Sequence, residues 1–408
     1  MPDAPTGSSA VPAGAGRVRL VVLYGGRSAE HEISCISALH MLRAADPARY
    51  DVQVVGITTD GRWVDAASAA ADLGPGAASL PSPDTIPGGS SPGPPVLLDR
   101  APAGGAGTVA IDLLPSGPAP AGPLTRAGGG ANAVPVVVFP LLHGPNGEDG
   151  TVQGLLEVAG VPYVGAGVAA SAASMDKGLT KAVLGAAGLP QVRSLVRRES
   201  ELDELTAKTV EAELGWPVFV KPANLGSSIG VSRAGDAAEL AASLDLARRY
   251  DEWVVIEEAV EAREIEVGVL GIGADMRASV AGEIIKSRAF YDFEDKYLAG
   301  AATSHIPADL PDGVAGSART MALQVCRALR IDGMARVDFF YEDPGRGLLV
   351  NEVNTIPGFT PISQYPLLWA ASGVAYPALV DELVRIALAR HARRARFESR
   401  REMPGGAP

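Results

Sequence analysis

Two cysteines in 408 residues, Cys35 and Cys326, exclude a disulfide framework. Neither has a CxxC or Cys/His neighbour, and both sit in apolar, helix-like contexts that suit a small buried hydrophobe. There is no basic excess: 35 Lys and Arg stand against 47 Asp and Glu, a net charge of −12. A chain this acidic suggests neither a nucleic-acid partner nor a membrane surface, and it leaves room for a phosphate ligand in a locally basic pocket. No apolar run approaches the roughly 20 residues of a membrane span. Residues 1–17 are rich in Ala, Pro, Gly and Ser and lack an apolar h-region, so a disordered tail and no signal peptide are expected. Together these absences point to a soluble cytoplasmic protein.

What the chain has is apolar mass. At 47% hydrophobic, it can fill sizeable cores, and its length suits two or three domains. Residues 18–24 are a near-continuous apolar run ending in Gly25-Gly26, which predicts a buried parallel strand and a tight turn. A helix over 31–44 and a strand over 52–58 follow. The turn 25–30 thus lies at the carboxyl end of the first strand, where open α/β sheets bind ligands. Residues 134–139 predict another buried strand, running into the polar, Gly-rich stretch 140–150. A helix over 151–159, a short strand over 161–164 and one helix over 168–187, carrying Lys177, come next. The Ala/Gly/Pro/Ser-rich insert 66–133 is expected to be a loop without chemistry, with short β-like pieces at 95–99 and 109–113.

Further on, strands are expected over 216–221, 253–258, 263–270 and 280–286, and helices over 236–249, 317–329 and 376–396. Residues 222–231, P-A-N-L-G-S-S-I-G-V, form a Gly/Ser loop that can lay backbone N–H groups and hydroxyls around phosphates. It is not a Walker A loop, because the G-x-x-x-x-G-K-[ST] pattern is absent. Residues 290–303 are polar and aromatic without a clean period, which suits an ordered loop.

The stretch with the sharpest chemistry is 334–358. Two apolar runs flank Asp343-Pro344-Gly345-Arg346-Gly347, a turn signal that predicts an antiparallel hairpin. Centring it on Gly345 sets Asp338 opposite Glu352 and Arg336 opposite Asn354. Residues two apart share a face, so these four polar side chains project together, while Val337, Phe339, Leu349 and Val353 face a core. Opposed carboxylates repel, and a cation between them would relieve that. Oxygen-only ligands suit Mg2+ better than zinc or copper. The plainer reading is a solvated face on which Arg336 neutralises the acids.

Eight separated segments carry a resemblance: G-G-R-S-A-E-H-E-I-S (25–34), L-H-G-P-N-G-E-D-G-T-V-Q-G (142–154), S-M-D-K (174–177), K-P-A-N-L-G-S-S-I-G (221–230), F-Y-D-F-E-D-K-Y (290–297), R-V-D (336–338), N-E-V-N-T-I-P-G-F-T (351–360) and S-Q-Y-P (363–366). In order and approximate spacing they resemble the D-alanine–D-alanine ligases, an ATP-grasp family, over about residues 18–390. The departure is the long insert 66–133, which is similar to the longer N-terminal domains of some members.

The resemblance implies an α/β architecture: an N-terminal open parallel-sheet domain (18–170), a central ATP-grasp lobe (171–255) and a C-terminal catalytic lobe (256–398), with a tail at 399–408. It implies ligation of two D-alanines with ATP, through a D-alanyl phosphate, for peptidoglycan precursors, in a homodimer. Lys177 and Lys221 would contact phosphates, with Ser227 and Ser228 on the covering loop. Glu257 and Val260 would meet the adenine, Glu264 the ribose, and Phe339 would also line the nucleotide site. Asp338, Glu352 and Asn354 would hold two Mg2+ ions, with Mn2+ as an alternative. Glu30 would pair with the first D-alanine's ammonium, near His143. Arg336, Ser363 and the Gly358 backbone would hold the second D-alanine or the oxyanion, and Lys296 and Tyr297 would close over the site.

Alternatives remain at this stage. D-lactate or D-serine as acceptor keeps the chemistry and changes the product, and a non-catalytic nucleotide-binding protein would keep the fold alone. Glu30 read plainly is a helix N-terminal residue, His143 a satisfied loop histidine and Lys177 a surface lysine.

Overall fold

The computed structural model describes residues 17–74, 76–86, 135–203, 205–285 and 303–397. Three sheets organise them. In the first, the apolar run becomes β1 (Val18–Gly25), buried along nearly its whole length. It pairs in parallel with β2 (Tyr50–Ile57) and later with β4 (Val136–Pro140), and β3 (Trp63–Asp65) closes one edge antiparallel. Parallel neighbours need crossovers. After β1 the crossover is α1 (His31–Ala44), with the expected bounds.

The insert is not structureless at its start. It forms α2 (Ala67–Ala71), and Leu80 is fully buried in the domain core. His31 joins the two: its Nδ1 bonds the Gly26 carbonyl at 2.8 Å and its Nε2 meets Ser82 Oγ at 3.0 Å. Residues 87–134, with the two expected β-like pieces, lie outside the described residues. After α3 (Thr151–Ala159), the expected short strand reduces to a single bridge between Val138 and Tyr163.

The single helix expected over 168–187 is two: α4 (Val168–Met175) and α5 (Lys177–Ala186). Asp176 breaks it. Its backbone is extended, and its side chain accepts from Leu179 N at 2.9 Å, an N-cap that starts a new helix. Lys177 therefore stands at the first position of α5 rather than mid-helix.

The second sheet is antiparallel, in the order β5-β8-β6-β7: β5 (Ser194–Arg198), β6 (Val218–Pro222), β7 (Ser232–Ala234) and β8 (Trp253–Glu258). Helices α6 (Thr206–Glu213) and α7 (Ala237–Ala247) accompany it. The domain border expected at 255 falls inside β8.

The third sheet runs β11-β10-β9-β12-β13: β9 (Arg263–Gly271), β10 (Arg277–Ile285), β11 (Thr303–His305), β12 (Gly333–Glu342) and β13 (Gly347–Asn354). Helix α8 (Val314–Ala328) packs on it, and α9 (Gln364–Ala371) and α10 (Tyr376–Arg394) end the fold.

The hairpin holds its expected register where the chemistry lies: Arg336 opposite Asn354, Val337 opposite Val353, Asp338 opposite Glu352. A bulge then shifts the pairing, setting Phe339 opposite Val350 and Phe340 opposite Leu349. One extra residue inverts the facing of everything beyond it. Leu349 accordingly leaves the expected core face, and Val350 and Leu348 join Val337, Phe339 and Val353 in the core cluster.

Candidate active site

Three elements converge on one cleft: the turn after β1, the Gly/Ser loop after β6, and the polar face of the third sheet. The turn delivers Glu30. Its side chain does not cap α1; Oε1 instead accepts from Ser227 Oγ at 2.5 Å, across 197 residues of chain. The Gly/Ser loop is held in an unusual conformation. Ser227 and Ser228 have φ of 53° and 58°, left-handed backbone that side chains seldom adopt. Lys177 Nζ fixes the loop's start by donating to the Leu225 carbonyl at 2.5 Å. Asp251 fixes it again, accepting from Asn224 N at 2.7 Å and Asn224 Nδ2 at 3.0 Å.

His143 ends the stretch after β4 and is buried beside Glu30. Its Nδ1 lies 3.1 Å from the Ile356 carbonyl and 3.8 Å from Glu148 Oε2. Its buried Nε2 has no hydrogen-bond partner among the described residues. Burial would lower the imidazole's pKa, but Glu148 and Glu30 outweigh it and hold His143 above the ordinary histidine value.

Lys221, at the end of β6, meets Glu257 Oε2 at 2.5 Å. Burial opposes its charge, yet Glu257, Glu352 and Glu264 keep its pKa raised. Glu257 is itself buried on β8. Burial favours its neutral form, but Lys181 and Lys221 together depress its pKa to about 2. Val260 lies two residues past the end of β8 and is half-buried. Glu264 is the second residue of β9, between Ile284 of β10 and Phe340 of β12.

On the hairpin, Arg336 donates to both Asp338 oxygens, at 2.8 and 2.7 Å, and lies 3.3 Å from Glu266. Burial would weaken its charge, but Asp338, Glu266 and Glu352 push its pKa well up. Asn354 Nδ2 donates to Asp338 Oδ2 at 3.0 Å. Nearby, Ser363 Oγ packs on the 356–363 loop, accepting from Thr360 N at 3.0 Å, and a Cβ on Gly358 would fall 2.8 Å from it. A side chain at Gly358 would therefore displace the Ser363 hydroxyl from the loop.

Phe339 does not belong to this face. It is fully buried among Ile265, Val337 and the α8 side chains, opposite to Asp338. Phe340, which shares Asp338's face by alternation, is the aromatic on the polar side. Lys296 and Tyr297 lie outside the described residues.

The donor set tests whether a divalent cation fits. Asp338 and Glu352 stand directly opposite each other, Glu264 and Glu266 lie on the adjacent strand, and Arg336 is the cation inserted among them. Acids outnumber bases on this face, and oxygen is the only ligand type. Among the described residues no three His, Cys, Asp or Glu converge on one point, so the third ligand would come from the Asn354 amide oxygen. The residues fit a hard cation, provided Arg336 turns from Asp338.

A sequence profile described as "D-ala D-ala ligase N-terminus" matches residues 19–166, and one described as "D-ala D-ala ligase C-terminus" matches 183–385. The chain belongs to the D-alanine–D-alanine ligase family. A D-alanine--D-alanine ligase from Mycolicibacterium gilvum (strain PYR-GCK) is 48% identical over 384 residues, covering 92% of this chain and 98% of that protein. One from Mycobacterium sp. (strain JLS) is 48% identical over 92% of this chain and 97% of its own length. Among solved structures, the D-alanine-D-alanine ligase from Coxiella burnetii superposes with a TM-score of 0.70 at 32% identity, over 93% of this chain and 97% of that one. VanG D-Ala:D-Ser ligase from Enterococcus faecalis scores 0.71 at 29% identity, over 91% and 99%. Ligases with different acceptors therefore share this ATP-grasp fold with the chain.

Sequence reasoning missed four residues that contact the candidate site residues: Lys181, Glu148, Asp251 and Glu266. Lys181 had a visible signal, being four residues after Lys177 and so on its helix face. Glu266 likewise stands two residues after Glu264 on one strand face. Glu148 lies five residues from His143 in the same Gly-rich stretch, and nothing local marks Asp251, whose partner Asn224 is 27 residues away.

Proposed function

We propose that this chain joins two D-alanines into D-alanyl-D-alanine at the expense of ATP, a step of peptidoglycan precursor synthesis. The observation that carries the reading is the Glu30–Ser227 contact. It sets a carboxylate suited to an amino-acid ammonium against the loop suited to phosphates.

A carboxylate acylates poorly, because its leaving group would be oxide. Attack of the first D-alanine's carboxylate oxygen on the γ-phosphorus breaks the bond to ADP and forms D-alanyl phosphate. The second D-alanine's amine, once deprotonated, attacks the carbonyl carbon, and phosphate leaves. Phosphoryl transfer of this kind demands charge neutralisation and alignment above all. Glu30 pairs with the first ammonium, and His143 offers its Nε2 beside it. Lys177 and Lys221 take the phosphates, with Ser227 and Ser228 over them. Glu257 and Val260 flank the adenine and Glu264 the ribose. Arg336 donates to the tetrahedral oxyanion, and the Gly358 backbone and Ser363 hold the second D-alanine. Lys296 and Tyr297 shield the acyl phosphate from water. Mg2+, or Mn2+ in its place, would be held by Asp338, Glu352 and Asn354 and would supply positive charge to the phosphates. The enzyme acts in the cytoplasm as a homodimer.

The VanG resemblance keeps D-serine in view as acceptor, with D-lactate a further alternative. Phosphate release from ATP with D-alanine alone, compared with D-alanine plus D-serine or D-lactate, decides. Turnover on D-alanine alone is expected. Greater turnover with a second acceptor at neutral pH, or none on D-alanine, would sink the reading.

A further inference from the structure

One carboxylate in the cleft is shared by two lysines. Glu257 Oε2 meets Lys221 at 2.5 Å, and Oε1 meets Lys181 at 2.8 Å. All three side chains are withdrawn from solvent, with 4% exposure for Glu257, 8% for Lys181 and 16% for Lys221. They come from three elements: Glu257 from β8, Lys221 from the end of β6, Lys181 from α5. Lys181 lies one helical turn beyond Lys177, so α5 presents two ammonium groups to the cleft.

Lys221 faces two demands. In this structure it neutralises Glu257. In the proposed reaction it must serve ATP phosphates, on the side where Glu352 and Glu264 already act on it. Withdrawing the sole partner of a buried carboxylate would strand a charge and oppose the move. Lys181 removes that obstacle, because Glu257 keeps one cation when Lys221 turns away. We infer that Lys181 is a positioning residue that frees Lys221 for the ATP phosphates by remaining on Glu257. The inference rests on the ATP-dependent reading above and adds a residue to it. Lys181 itself touches neither substrate in this scheme.

In Lys181→Met, Glu257 keeps Lys221 as its one cation among the described residues and detains it. The KM for ATP should rise about tenfold, while kcat and the KM for D-alanine change less than about twofold, the pattern of a lost contact made equally before and during reaction. Adenosine, which has no phosphates, should inhibit the variant as well as it inhibits wild type. Lys181→Arg, which keeps the cation, should restore the ATP KM. In a Glu257→Gln background there is no charge to detain Lys221, so adding Lys181→Met should leave the ATP KM unchanged. A full tenfold rise in that background, or an equal loss of adenosine and ATP, would overturn the inference. So would a Glu257→Gln/Lys181→Met protein that fails to fold, since that makes Lys181 structural. Wild-type protein that releases no phosphate from ATP with D-alanine would instead defeat the parent reading.

Discussion

Ser227 offers the most exacting test, because two opposing effects meet on one residue. Its Oγ donates to Glu30 Oε1 at 2.5 Å, and its backbone sits at φ 53°. A hydrogen bond to a charged group contributes about 1.5–3 kcal/mol, and half-buried partners argue for the lower end. At about 1.4 kcal/mol per decade, Ser227→Ala should lower kcat/KM for D-alanine about tenfold if Glu30 must be held for the ammonium. Alanine keeps the left-handed strain, which costs a residue with a Cβ about 1–2 kcal/mol. Ser227→Gly removes the same hydroxyl and the strain, while losing about 0.5–1 kcal/mol through a freer unfolded chain. The glycine variant should therefore be as stable as the alanine variant or more so, by up to about 1.5 kcal/mol, while sharing its kinetic defect. A phosphate-release assay over a range of D-alanine concentrations gives the first number, and thermal melts of both variants the second. Wild-type kcat/KM in Ser227→Ala would refute the clasp between turn and loop. A glycine variant that melts clearly below the alanine variant would refute the strain.

Four further outcomes are expected. Glu352→Ala should abolish phosphate release while circular dichroism and melting stay near wild type, because Glu352 is half-buried on the polar face of β13, outside the core cluster; retained activity would remove it from the metal set. Phe359→Ala should cost about 3–5 kcal/mol in denaturant unfolding, since the ring is fully buried against Phe139, Tyr365 and Tyr376. Gly333→Ala should cost about 2 kcal/mol or more, because φ is 100° and the new Cβ would lie 2.7 Å from the Gly165 carbonyl oxygen, which is backbone and cannot swing aside. Glu257, depressed in the fold from 4.5 to about 2, adds stability that is present above pH 4.5 and lost as pH falls toward 2. Urea midpoints across that window should decline less steeply in Glu257→Gln, by up to about 3 kcal/mol in total.

Much of the fold and part of the site were readable beforehand. Helices 31–44 and 151–159 end where Gly, Ala-Asp and turn residues punctuate them, and their bounds came out as expected. The break at Asp176 did not, because both halves keep small apolar residues and only an N-cap hydrogen bond to Leu179 separates them. The bulge in the hairpin was hidden for a related reason. Leu348, Leu349 and Val350 are apolar in succession, so no alternation marks which of them faces inward. Helix α9 was missed because it is apolar around its circumference and carries Pro366 in its first turn, where no helical N–H is needed. Within the site, the opposed acids of the hairpin followed from strand geometry alone, whereas the Lys181–Glu257–Lys221 cluster unites three separated elements with no shared motif.

The arrangement of cores indicates which parts of the site are held and which are carried. One apolar cluster runs from Leu20, Val22 and Phe139 of the first sheet through Phe359 to Leu379 and Leu383 of α10. Arg390 adds to it: it donates to the Tyr163 carbonyl at 2.9 Å and stacks on the Tyr163 ring at 4.2 Å. Tyr50 Oη donates to Asp381 at 2.7 Å on the same seam. The N-terminal domain and the end of the chain are thus one packed body, and the 356–363 loop, with Gly358 and Ser363, is rooted inside it. The second sheet has a separate cluster of its own around Val210, Val220, Leu240 and Ile256. It meets the rest largely through polar contacts: Ser227 to Glu30, Lys177 to Leu225, and Arg346 Nη1 to Glu258 Oε1 at 2.6 Å. Polar contacts exchange with water far more cheaply than a packed core separates. On the proposed reading, Glu30, His143, Gly358 and Ser363 are therefore built on the body that resists shifting, and Lys221, Ser227 and Ser228 on the one that shifts more easily, with Lys177 reaching across to it. An acyl phosphate must form in a closed site and its products must leave an open one, and on the proposed reading this division of cores would let the site open where it disturbs the proposed amino-acid contacts least.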